Sequence, residues 1–181
     1  MDTIQKPSRR FEILFRFLFF AYPVFLLVTW LAMTFKGADP NPVLDFSLNI
    51  QNLNIQHEPV LWQRLACFGA TMLPGAALMY IFHSLYRLFG YYGKGMIFCR
   101  ENVKCYRSTA LGLIIMQILH FPEDALISLI LTATNPKGQH VISFGMNDTN
   151  ITMIVAGIMI LVISRIMDQG RKLQEEQALT V

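Results

Sequence analysis

Apolar positions fall into four long runs, at about 11–35, 65–89, 108–132 and 151–167, divided by polar stretches. A hydrocarbon core of about 30 Å takes about 20 helical residues, so the runs predict four transmembrane helices. The first run follows basic residues, as a signal peptide does. It is too long for an h-region and lacks a small-x-small cleavage site, which predicts a retained helix. The segments between helices one and two (36–64) and between three and four (133–150) show another pattern. Apolar and polar residues alternate in Phe46-Ser47-Leu48-Asn49-Ile50, in Leu53-Asn54-Ile55 and in His140-Val141-Ile142-Ser143-Phe144. Period-two alternation predicts short strands. An isolated hairpin is marginal in water, so the two segments are expected to pair as a small β cap. The expected fold is an all-α membrane protein of four transmembrane helices with a small extracytoplasmic β cap.

Composition strengthens this picture. Of the 181 residues, 54% are hydrophobic and 15% charged, with mean hydropathy +0.42, against about 25% charged in soluble domains. Charge then sets orientation. Lys6, Arg9, Arg10 and Arg16 precede or enter the first helix; Arg87, Lys94, Arg100, Lys104 and Arg107 surround the middle loop at 90–107; Arg165, Arg171 and Lys172 lie near the end. Only Lys36, Arg64 and Lys137 remain for the other side. The excess places both termini and the middle loop in the cytoplasm. Trp62, Tyr86, Tyr91, Tyr92 and Tyr106 suit the two interfaces. The three cysteines, Cys67, Cys99 and Cys105, have no CxxC spacing and read as free thiols. No phosphate-binding loop, nucleophile elbow, zinc-protease motif or catalytic carboxylate pair occurs, so neither an enzyme nor a cofactor is expected. No metal site and no direct contact with nucleic acid are expected either.

Two stretches carry a resemblance. The middle loop reads Gly95-Met96-Ile97-Phe98-Cys99-Arg100-Glu101-Asn102-Val103, and the tail reads Gly170-Arg171-Lys172-Leu173-Gln174-Glu175-Glu176-Gln177-Ala178-Leu179-Thr180-Val181. Together they resemble a bacterial four-helix membrane family of unknown function with G-x-x-F-[ST]-x-E-N-V and G-x-x-L-x-E-E-x-x-L-T-V signatures. The resemblance spans nearly the whole chain and implies the bacterial inner membrane. Members are often encoded beside a small helix-turn-helix regulator, which implies such a regulator as partner. Cys99 departs from the usual Ser or Thr, which weakens a helix cap, because a thiol is a poor acceptor. Ala178 stands where an acid is common.

Candidate chemistry sits in two places. His120-Phe121-Pro122-Glu123-Asp124 puts ionisable groups inside the third apolar run, where each costs roughly 2.5–3.5 kcal/mol on insertion scales. Pro122 removes one helical hydrogen bond, and Pro-Glu-Asp also suits a helix start. Two arrangements follow: a helix broken near Phe121, or a helix that emerges early and leaves Glu123 and Asp124 in the headgroups. His120 and Glu123, three residues apart, form a candidate pH-sensitive pair. The second place is cytoplasmic. Phe98, Arg100, Glu101, Asn102 and Lys104 of the middle loop, with Glu175 and Glu176 of the tail, form a candidate docking face. The tail is expected to extend the fourth helix, with its acids near the basic loop. Pro23 and Pro74-Gly75 suggest hinges, and Gly69, Ala70, Gly75, Ala76 and Ala77 a close-packing face. His83 lies too far from His120 to share a metal. The leading expectation is a sensor or tether for a cytoplasmic transcription regulator. The alternative is a small transporter or channel subunit, in either case with a homo-oligomer as a further partner.

Overall fold

The computed structural model describes residues 2–32, 58–136, 140, 142–143 and 148–179. Four helices account for most of them: α1 (Asp2–Ala32), α2 (Leu61–Gly93), α3 (Arg100–Thr132) and α4 (Asp148–Leu179). All four are long and apolar enough to cross a membrane, and no strand occurs among the described residues. The chain is an all-α membrane protein.

The helices are longer than the apolar runs. The loop expected at 90–107 is helix except for residues 94–99, because the polar flanks keep helical backbone bonds after leaving lipid. The turn needs one special conformation, which Gly95 supplies at φ +77°. Cys99 then sits at the N-cap of α3 and makes no side-chain cap bond. Instead, Asn102 Nδ2 donates to the carbonyls of Met96 and Ile97, at 2.7 and 2.8 Å.

Packing follows chain order: α1 lies on α2, α2 on α3 and α3 on α4, without a comparable α1–α4 interface. The α1–α2 seam is aromatic, with Phe11 and Phe15 against Phe89 at 5.1 and 5.6 Å and Tyr22 against Phe82 at 6.4 Å. Tyr80 donates to Ser108 Oγ and Tyr92 meets Tyr106, tying α2 to α3. Ser164 Oγ donates to the Val103 carbonyl and ties α3 to α4. The expected small-residue face is only partly used. Ala70, Gly75 and Ala77 are buried, while Gly69 and Ala76 are exposed.

The closest approaches use other glycines. A Cβ at Gly112 would meet Ile81 Cγ1 at 2.7 Å, and one at Gly157 would lie 3.1 Å from the Ala110 carbonyl oxygen. Backbone cannot yield by changing rotamer, so Gly157→Leu is expected to push α4 off α3 and cost about 1–3 kcal/mol. Thermal unfolding in mild detergent should show the loss. Gly69→Leu, where a Cβ meets nothing within 4 Å, should leave the midpoint unchanged.

The β cap fares differently in its two parts. Residues 46–55 lie outside the described residues. At 140–144, the described His140, Ile142 and Ser143 form no strand. Their polar groups turn back to α3: Ser143 N–H donates to Ser128 Oγ at 3.0 Å, and His140 Nδ1 lies 2.9 Å from the Thr132 carbonyl. A side-chain acceptor and a helix-end carbonyl thus replace a ladder partner.

Candidate functional site

The third helix is not broken. It runs as α-helix from Arg100 to Thr132 through Pro122. One missing backbone bond is tolerated because those on either side hold the helix. One turn of intact helix brings His120 and Glu123 onto one face, with Nδ1 and Oε2 2.6 Å apart. Glu123 is 4% exposed, and His120 keeps its outer edge open at 31%. Asp124 is half-buried and carries an interaction of its own. The pair holds no net charge when one proton serves both groups. A second proton leaves +1 and its loss leaves −1, and the buried surroundings of the carboxyl group oppose either.

Two other helices complete this layer. Tyr22 of α1 approaches the Glu123 layer from a neighbouring helix. It gets there over Gly75, where a Cβ would stand 3.1 Å from its ring. Register adds the depth. Val103 meets Ser164 and Ala110 meets Gly157, so the first turn of α4, Asp148–Ile151, lies about level with residues 116–119 of α3. The His120–Glu123 pair therefore lies up to one turn beyond the polar start of α4 at Asp148, Thr149 and Asn150, which is level with residues 117–119 of α3. Beyond that level, α3 continues for about 20 Å at 1.5 Å per residue.

Above the pair is a buried polar knot that periodicity did not reveal. Gln63 is fully buried. Its Nε2 donates to the Ile130 carbonyl at 2.8 Å, and its Oε1 accepts the Val60 N–H at 2.9 Å. Trp30 Nε1 donates to Thr71 Oγ1, and Arg64 Nη1 to the Leu31 carbonyl at 2.6 Å. One end of α2 thus fastens the ends of α1 and α3. A glutamine and an arginine just before the second apolar run are the only signal in the sequence.

At the basic end the two signature stretches meet. The Phe98 ring lies where a Cβ on Gly170 would stand, at 3.2 Å. Phe98, Arg100, Glu101 and Lys104 are exposed there, as are Glu175 and Glu176. Asn102 does not belong to that surface. It is fully buried and braces the α2–α3 turn. Glu175 bonds Arg171 of its own helix at 2.6 Å. His83 packs its ring against Phe19 and Tyr86. No group of three or more metal-ligating side chains occurs among the described residues.

Comparison with known proteins gives a family without an activity. Residues 49–181 match the family described as "Protein of unknown function (DUF2975)". No curated protein and no solved structure matches the chain.

Proposed function

We propose that this chain, which belongs to the DUF2975 family of unknown function, is a bacterial inner-membrane sensor that tethers a cytoplasmic transcription regulator. Both termini and the α2–α3 turn lie in the cytoplasm, following the excess of Lys and Arg at that end. The outer signal acts on the His120–Glu123 pair, which lies at the outer boundary of the lipid if the polar start of α4 marks that boundary. The output surface is the cytoplasmic face of Phe98, Arg100, Glu101, Lys104, Glu175 and Glu176.

The observation that carries this reading is the continuity of α3. One helix of 33 residues bears Glu123 toward one end and Arg100, Glu101 and Lys104 at the other. A tilt or translation of α3 at the pair is passed to the cytoplasmic face along a single rod. There α3 bears on α4 through Val103 and Ser164, and the turn before it bears on Gly170 through Phe98. The charge balance of the pair gives the two states: neutral with one proton, charged with two or none. The partner is a small helix-turn-helix protein, the class implied by the two signature stretches.

The transport reading drew on a third helix broken near Phe121. The helix runs through Pro122 unbroken, and that support falls away.

The tail provides the test. Glu175→Lys with Glu176→Lys reverses the charge of an exposed patch away from lipid and is expected to abolish capture of the regulator, with membrane insertion intact. Affinity purification after crosslinking in cells, followed by mass spectrometry, reads the result. Equal recovery of the same DNA-binding protein by both forms would show that the tail plays no part.

A further inference from the structure

We propose that a cleft between the first turns of α1 and the last turn of α2 binds the phosphate of an anionic lipid headgroup. The cleft has a volume of about 410 Å³. Lys6 and Arg9 of α1 line one side, and Lys94 at the end of α2 lines the other. Gln5 adds an amide, and Gly90 and Gly93 leave the floor free of side chains. All three cations are exposed, and no ion pair neutralises Lys6 or Arg9 among the described residues. One acid, Glu12, also lines the cleft; its carboxylate packs over Gly90, 3.5 Å from where a Cβ would be. The lining therefore keeps a net positive charge of two.

Converging cations in a concave site suit a phosphate better than isolated surface lysines do. The surroundings choose lipid over free phosphate. On the turn next to Arg9, Phe11 packs tilted against Phe89 yet stays 44% exposed, and Leu14 is 46% exposed. These residues offer an apolar track for an acyl chain leading away from the cationic cleft. Neither His120, Glu123 nor Phe98 lines the cleft.

The test uses the full chain in mild detergent and native mass spectrometry with three probes: dioleoyl phosphatidylglycerol, dioleoyl phosphatidylcholine and inorganic phosphate. Retention of phosphatidylglycerol well above phosphatidylcholine is expected. Lys6→Ala with Arg9→Ala should reduce it about thirtyfold, from the contribution of each cation near an anionic lipid. Gly93→Leu fills the cleft without changing charge, and nothing lies within 4 Å of the added Cβ; it should also reduce retention. Arg10→Ala with Arg16→Ala removes the same charge from α1 outside the cleft and should not. Equal loss in that control would reduce the effect to diffuse attraction and overturn the site. So would unchanged retention in the first variant or in Gly93→Leu. Retention of inorganic phosphate equal to that of the lipid would replace the headgroup with a free anion and overturn the lipid assignment.

Discussion

His120→Ala is expected to destabilise the protein by about 2–4 kcal/mol, more than any loss of packing at a half-exposed ring explains. The reason lies in its partner. Glu123 is 4% exposed, and His120 provides its 2.6 Å bond. Without the imidazole, the carboxyl group must stay buried with its bond to His120 lost, or take up a proton. The reverse change is milder. Glu123→Leu removes the buried acid and leaves His120, which reaches solvent along its open edge. Adding Glu123→Leu to His120→Ala should therefore restore part of the stability, a non-additivity expected only of residues in contact. Reversible unfolding of the four proteins in detergent measures the cycle. Additive losses would mean that the two groups do not support each other.

The second large effect is expected at Gln63→Met, which keeps length and volume and removes both polar functions. The Ile130 carbonyl loses its donor from Gln63, and the Val60 N–H loses its acceptor. The Ile130 carbonyl keeps the Ala133 N–H at 3.4 Å and Val60 is half-exposed, so the loss is expected at about 1–3 kcal/mol in total. The change also loosens the joint between α2 and α3, and amide exchange should rise around Ile130 and Leu131. A midpoint within error of the unchanged protein would show that water satisfies both groups.

The two sites differ in how plainly the sequence announces them. The helices were legible because lipid demands long unbroken apolar runs, and the basic residues mark one end of the bundle. His120 and Glu123 stood out as ionisable groups in such a run, and their spacing put them on one helical face. Whether Pro122 breaks a helix depends on what surrounds it, and local sequence does not say. Gln63 was hidden because a polar residue near a helix start reads as solvated. Only the packing of α3 makes it internal. Asn102 misled in the opposite sense. Set among charged residues it reads as surface, yet the turn at Gly95 folds two carbonyls back onto its amide. The alternation at 140–144 misled: His140 and Ile142 are exposed and no strand forms there, because Ser143 N–H and His140 Nδ1 find partners on α3 in place of a second strand.

Continuity of α3 is the centre of the account, and one measurement addresses it directly. Cells expressing the tagged protein and its Glu123→Gln variant are crosslinked at two external pH values. The regulator that the unchanged form captures, and the Glu175→Lys/Glu176→Lys form loses, is then quantified. Capture by the unchanged protein should vary with external pH, and capture by Glu123→Gln should be fixed at one level although that residue lies far along α3 from the docking face. Capture that follows pH equally in both proteins would contradict the account, because the outer pair would then have no hold on the cytoplasmic face.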